Sequence, residues 1–182
     1  MKYHFISDDG WFLSGLQDVV SHIGSKAFFI NTNDENIIFS PSPGDVVVMA
    51  VNHVRLRSHL MKEPTIAYCR LILILDMPVT SSGLASYPWL MPKNIGTAEF
   101  KVAIRKAEKT SVHYNEAPLR TLSIFNQLGR GIPPADLIVE ETVSLKSIYR
   151  IKNNVFQEYG LLGCNSAGVL VCRDILGMKV SL

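Results

Sequence analysis

Two stretches of this chain, DVVVMAV (residues 45–51) and RLILIL (residues 70–75), are apolar at every position after the first. A strand with one wet face alternates apolar and polar side chains. A continuous apolar run rich in β-branched residues is what a strand buried on both faces of a parallel sheet carries. Such a sheet requires helices on both sides, which commits the chain to a layered α/β fold. Residues 3–7, 27–31 and 87–91 supply three further short strands. Phe12, Leu16, Val19, Val20 and Ile23 recur at helical spacing over residues 12–23, and Phe100, Ala103, Ile104 and Ala107 form the inward stripe of a helix over residues 98–109. The expectation for residues 1–107 is an α/β doubly wound domain.

The remaining chain reads differently. Residues 108–117 are polar and aperiodic and are expected to be a linker. Pro118 opens an all-helical region, 118–182, whose first helix spans residues 119–128 with Leu122, Ile124 and Phe125 for packing. Pro133 and Pro134 suit the start of a second helix over residues 135–141, because proline has a fixed φ and the first helical amides have no partner anyway. Residues 142–144 break the pattern, and Ser144 is placed to cap a third helix over residues 145–159 by accepting from a free amide of its first turn. Ile148, Ile151, Val155 and Tyr159 form its inward face. Lys146, Tyr149, Arg150 and Asn153 sit at i, i+3, i+4 and i+7 on the opposite face, with Lys152 at its margin. A fourth helix, residues 166–176, is apolar along most of its length. That excess points to a dimer contact.

Composition bounds the function. With 182 residues, 47% hydrophobic and 19% charged, the chain has apolar material for one or two globular cores. No apolar run reaches the roughly 18–20 residues that span a bilayer. The acidic N-terminal stretch has no signal-peptide core, so a cytoplasmic protein without membrane contact is expected. Three cysteines form no CxxC pair, and five histidines show no ligand spacing, which argues against a metal site. No nucleophile–base pair and no phosphate-binding glycine loop marks an enzyme, and no cofactor is expected. The formal net charge is only +2, but the third helix holds three cations and no acid between Lys146 and Gln157. Lysines and arginines neutralise phosphates, and arginine and asparagine read base edges through paired hydrogen bonds, so this is the composition of a helix laid in a major groove. The basic stretch NHVRLRSHL, residues 52–60, either meets an acidic partner, senses pH, or is the solvated face of a helix; the last is preferred.

Residue order sharpens this picture. Gly131, Leu137-Ile138, Ser144, Lys146-Ser147-Ile148, Asn154-Val155 and Tyr159-Gly160-Leu161 fall, without a gap over residues 131–161, on the pattern of the helix-turn-helix in LuxR/NarL-type bacterial transcription regulators. The C-terminal region resembles that family. It departs from it at Ile151, where histidine is usual, and at Ile138, where a small alanine is usual, so a repacked helix interface is expected. The N-terminal region resembles, more loosely, the receiver domain of two-component response regulators. Asp8-Asp9 correspond to the acidic pair that holds Mg²⁺, and Lys93 to the receiver lysine. The phosphoacceptor position, however, is Ala50, and Asp76 stands where the family has Ser or Thr. Alanine has no carboxylate to phosphorylate, so this is read as a degenerate pseudo-receiver, with Asp8, Asp9 and Lys93 inherited as capping acids and a lysine ion pair.

The resemblance implies a sequence-specific regulator of transcription that binds a double-stranded promoter operator as a homodimer, with a receiver-like α/β domain followed by a four-helix LuxR-type domain. It is similar to the atypical enterobacterial auxiliary regulators of capsule and fimbrial operons. Lys146, Ser147, Lys152 and Asn154 are expected on phosphates, and Tyr149, Arg150 and Asn153 on base edges. The alternative is a co-regulator that forms a heterodimer with another LuxR-type regulator and binds DNA weakly alone. A ligand sensor at the vacated phosphorylation site has no positive support in the sequence.

Overall fold

The computed structural model describes residues 1–21, 26–35, 37–80, 86–113, 116–138 and 143–178. Five strands, β1 (Tyr3–Ser7), β2 (Ala27–Asn31), β3 (Val46–Ala50), β4 (Arg70–Leu75) and β5 (Trp89–Pro92), form one sheet in the order β2-β1-β3-β4-β5. Every pairing is parallel, with Ser7 level with Ala50 and Ile72 level with Trp89. This is the flavodoxin-like order of doubly wound domains, with its switch point between β1 and β3. β3 and β4 are buried almost throughout, as their unbroken apolar sequences require.

The first helix, α1 (Gly10–Val19), starts two residues before the expected position because Asp9 caps it, accepting from the amides of Trp11 and Phe12 at 3.1 Å each. Ile23, expected in this helix, lies outside the described residues. A short helix, α2 (Val54–Leu60), follows β3, and α3 (Thr97–Lys109) follows β5. α3 ends at Lys109 as the expected helix does, so its last two residues overlap the stretch expected to be linker, and Glu108 accepts a hydrogen bond from the Tyr3 hydroxyl at 2.9 Å. Residues 114–115 of that stretch lie outside the described residues. Beyond it come α4 (Leu119–Gly129), α5 (Leu145–Glu158) and α6 (Ser166–Leu176). None of the described helices is long and apolar enough to cross a membrane.

The two faces of the sheet are covered by different parts of the chain. Phe5, Val46, Val48, Ala50, Ile72, Ile74 and Trp89 pack under α1 and α3. On the other face, Ile6, Val47, Met49, Leu71, Leu73 and Leu75 join one core with Phe125 of α4, Val155 and Phe156 of α5, and Val169, Val171, Cys172 and Ile175 of α6. The β4–β5 connection supplies no helix among its described residues. The C-terminal helices cover the layer it leaves open, so the regions 1–107 and 118–182 share a core.

That arrangement corrects the reading of the last helix. Gly168, Val169, Val171, Cys172, Asp174, Ile175 and Leu176 are all buried within the chain. The apolar excess of α6 is spent on the sheet and on α4, not offered to a second copy. The basic stretch is corrected too: α2 is no solvated face throughout, because Arg57 is 5% exposed. Its Nε donates to Asp174 Oδ2 at 3.1 Å, and Asp174 Oδ1 accepts from Arg173 at 2.7 Å. This ion pair ties α2 to α6 across 117 positions of sequence.

A second buried acid holds the start of the sheet. Asp45 accepts from the amides of Lys2 (2.7 Å) and Ser42 (2.9 Å) and meets His4 Nε2 at 3.2 Å. Burial alone would raise its pKa, but those two amides and His4 outweigh it and hold the carboxyl below its ordinary value.

Breaking a buried ion pair leaves a charge without its partner, whereas replacing both members with apolar groups removes the problem. Asp174→Ala is therefore expected to lower unfolding free energy by about 3–5 kcal/mol, and Arg57→Met with Asp174→Leu to recover most of that loss. Urea melts of the three proteins test it; a double variant as unstable as Asp174→Ala would show that the pair is not what couples α2 to α6.

Candidate nucleic-acid interface

α5 begins where its sequence says it should. The Ser144 hydroxyl accepts from the Ser147 amide at 3.2 Å and lies 3.0 Å from the Ser147 hydroxyl. The helix straddles two cores. Ile148, near its start, packs with Ile124 and Leu137 in a small cluster of the C-terminal helices, while Val155, Phe156 and the following Tyr159 join the core shared with the sheet. Ile151, at the position where histidine was usual, packs half-buried against both clusters. Phe156 was missed in the inward stripe although its spacing from Ile148 fits one. Leu137 is fully buried, but Ile138 is 38% exposed, so the expected repacking at position 138 is not an internal one. Of the expected helix over residues 135–141, Ala135 and Asp136 lie in a turn and Leu137 and Ile138 are helical; residues 139–141 lie outside the described residues.

The opposite side of α5 faces water. Lys146, Tyr149, Arg150, Asn153 and Asn154 are exposed, and none has a side-chain hydrogen bond or ion pair among the described residues. Their donors are thus free along one side of a helix pinned on the other. Ser147 and Lys152 are not equally free. The Ser147 hydroxyl is turned to Ser144, and Lys152 Nζ lies 5.2 Å from the centre of the Phe156 ring. The i, i+4 spacing of Lys152 and Phe156 is a signal that sequence reading could have used.

The turn that ends α5 is built on Gly160, whose φ of +67° favours glycine. Its carbonyl accepts from the amide (2.8 Å) and the hydroxyl (3.1 Å) of Thr80 in the β4–β5 connection. A Cβ at position 160 would come within 2.1 Å of the Thr80 carbonyl oxygen. Cys164, one turn further on, donates from Sγ to the Pro78 carbonyl at 3.4 Å. The end of α5 is thereby clamped to the segment that leaves β4.

The receiver-like residues gather at the C-terminal ends of β1, β3, β4 and β5. Asp8 Oδ2 accepts from the amides of Asn52 (2.8 Å) and His53 (3.0 Å), fixing the β3–α2 turn. Asp9, besides capping α1, accepts from Lys93 Nζ at 2.8 Å. Ala50 is 5% exposed, and its methyl belongs to the apolar layer under α1 and α3, while its carbonyl accepts from the Ser7 hydroxyl at 2.7 Å. Asp76 is exposed just past β4. The hydrogen bond from Lys93, then the Phe12 amide, holds the Asp9 carboxyl below its ordinary value. The same hydrogen bond raises the pKa of Lys93, with the nearby charges of Asp9, Asp76 and Asp8 acting in the same direction. These residues do not fit Mg²⁺, which demands near-octahedral oxygen ligands. An ammonium already occupies Asp9, position 50 offers no oxygen from its side chain, and no group of three His, Cys, Asp or Glu among the described residues could hold a metal ion. One oxygen, Asp8 Oδ1, is buried without a hydrogen-bond partner.

No family model matches the chain, and no curated protein matches it. Among solved structures the chain is remotely similar to RcsB in the structure of two RcsB dimers bound to two parallel DNAs, at 10% identity and a TM-score of 0.42 over 94% of this chain and 96% of that one. RcsB from Salmonella enterica serovar Typhimurium, bound to promoter rprA in the presence of phosphomimetic BeF3−, gives 11% identity and a TM-score of 0.38 over 94% and 98% of the two chains. The response regulator ChrA of a heme-sensing two-component system gives 10% identity and a TM-score of 0.38 over 94% of each.

The Asp9–Lys93 pair has a testable pH signature. A depressed carboxyl pKa contributes stability that is present above the unfolded value and is lost as pH falls through the folded one; a raised lysine pKa contributes stability that is lost as pH rises through the folded value. Both side chains are 31% exposed, so Lys93→Met is expected to cost no more than about 1 kcal/mol at neutral pH. The Asp9 carboxyl pKa should move up toward its ordinary value, read by NMR titration. An unmoved Asp9 would mean that the capping amides alone set it.

Proposed function

We propose that this chain is a DNA-binding transcription regulator that acts as a dimer on a promoter operator and is not switched by aspartyl phosphorylation. The observation that carries the reading is the solvent-facing side of α5, where Lys146, Arg150 and Asn153 present unengaged donors on a rigidly held helix. Such a face meets the needs of major-groove binding: cations for phosphates, and an arginine and an asparagine for base edges. Lys146 and Asn154 take backbone positions, joined by Ser147 and Lys152 once their present contacts are exchanged. Tyr149, Arg150 and Asn153 take base-edge positions.

The lack of aspartyl control rests on Ala50 and on the internal satisfaction of Asp9 by Lys93. Dimerisation through the apolar side of α6 has no support, since that side is buried within the chain. Pairing on DNA therefore falls to other surfaces. The second reading, a heterodimer with another regulator of the same type, is favoured by the state of Lys152, whose contact with Phe156 leaves two cations of α5 without a contact among the described residues.

Selection of bound fragments from genomic DNA with the purified chain, followed by salt titration, separates these readings. Recovery of a two-fold sequence supports the autonomous dimer, while weak, sequence-indifferent binding supports the co-regulator. Arg150→Ala is expected to relax preference at one base position by about 1–3 kcal/mol, and Lys146→Ala to weaken all sequences and flatten the salt slope by about one. Equal loss on every sequence from Arg150→Ala would remove its base-reading role.

A further inference from the structure

Three helices from separate parts of the chain end around one cleft of about 770 Å³. α2 contributes Arg55, His59 and Lys62 (just beyond its end), α4 ends there at Arg130, and α6 brings Arg173. The only acid lining it is Asp174, which is 6% exposed and already held by Arg57 and Arg173. Arg55, Lys62 and Arg130 are exposed and have no ion pair among the described residues.

We propose that this cleft binds a small anion bearing several phosphate groups, gripped by Arg55, Lys62, Arg130 and Arg173. Charge is the first argument. Cations at helix C-termini commonly offset the helix dipole, about half a negative charge per end. Three such ends and Asp174 do not balance Arg57 and the four lining cations; a surplus of about two and a half positive charges remains. Counted formally, the four lining cations and Arg57 against Asp174 leave +4, more than the +2 of the whole 182-residue chain.

Shape is the second argument. The volume falls in the range of small-ligand pockets, about 300–1,000 Å³, and the cations converge from three elements on a concave space. The third argument is donor geometry: guanidinium forks bind phosphate oxygens in pairs, and Ser58 and Asn126 on the walls add neutral hydrogen-bonding groups. Arg173 is already oriented, because its side chain lies against Gly129, where an added Cβ would come within 2.9 Å of Cδ. No residue of α5 lines the cleft, so the inference stands apart from the DNA-binding reading. An anion here would tie α2, next to the receiver-like residues, to α4 and α6 of the C-terminal helices.

The test is calorimetric titration of the full chain with inorganic tripolyphosphate, orthophosphate and sulfate at matched ionic strength. One tripolyphosphate per chain is expected, bound well above the other two. Arg55→Gln with Lys62→Gln should weaken it roughly tenfold or more, since charge-assisted hydrogen bonds are lost. The control pair Arg105→Gln with Lys109→Gln, exposed on α3, should leave it unchanged. Should the cleft pair lose its cooperative melt, Asn126→Asp, which adds a negative charge to the wall, is expected to weaken binding in its place. Absence of tripolyphosphate binding, equal binding of sulfate, or equal loss in the control pair would overturn the proposal. So would a duplex oligonucleotide that depends on Arg55 and Lys62 when tripolyphosphate does not, which would make the cleft a contact for a nucleic-acid backbone.

Discussion

The face of the sheet made by Val47, Met49, Leu71 and Leu73 has to be covered, and the first half of the chain does not do it alone. Each of these side chains is at most 1% exposed. Fully burying a side chain of this size is worth about 1.5–3 kcal/mol, so the uncovered face would forfeit a large part of the marginal stability of any domain. α2 is one short helix of seven residues, and the connection after β4 adds none among its described residues. α5 and α6 close the layer. The DNA-reading candidate is thereby built into the core of the α/β region instead of hanging from it.

The ionic contacts follow from that docking. Arg57 and Asp174 are nearly inaccessible, and a buried pair of this kind stabilises little by itself against hydrophobic packing. Its effect is on register: only one placement of α6 against α2 leaves neither charge unpaired. Gly160 acts in the same way at the other end of the interface. With a left-handed turn and no Cβ, it lets Thr80 approach closely enough to donate twice to its carbonyl. A side chain there would open the contact between the β4–β5 connection and the end of α5.

What could be read from the sequence was what depends on neighbours in sequence. The strands 3–7, 27–31 and 70–75 match their expected bounds because unbroken β-branched and aromatic runs have few alternatives. The start of α5 at Ser144 and its exposed polar face came from capping and from the 3.6-residue period. What failed depended on partners far along the chain. Periodicity shows that α6 has an apolar side, but not whether a second copy or the same sheet covers it. Arg57 looked like its neighbours Arg55 and His59 because nothing local distinguishes a buried arginine whose acid lies 117 positions away. For the receiver-like residues, the lack of a carboxylate at Ala50 is plain from its identity alone. The capping role of Asp9 and its pairing with Lys93 could be expected in kind, while the two amides bound by Asp8 needed the β1–β3 register to become visible.

Three of the charges at the ends of the strands hold local structure together. Asp9 serves α1 and Lys93, and Asp8 serves the turn before α2. Lys93 is also fixed through its backbone, its amide donating to Leu75 at the end of β4 at 2.8 Å. From Leu75 the chain runs through Asp76 and Pro78 to Thr80, and so to Gly160 and the end of α5. Two ordered contacts, at Leu75 and Thr80, thus flank the four residues of chain that connect the receiver-like cluster to the helix with the open cationic face. A bistable switch needs two arrangements of comparable free energy. Under the proposed reading no second arrangement is available here, since position 50 carries a methyl group packed in the sheet and Lys93 is held by Asp9. Under the proposed reading, control over α5 acts instead on the packing between the sheet and the C-terminal helices, where Phe125, Val155, Phe156 and Ile175 meet Val47, Met49 and Leu71.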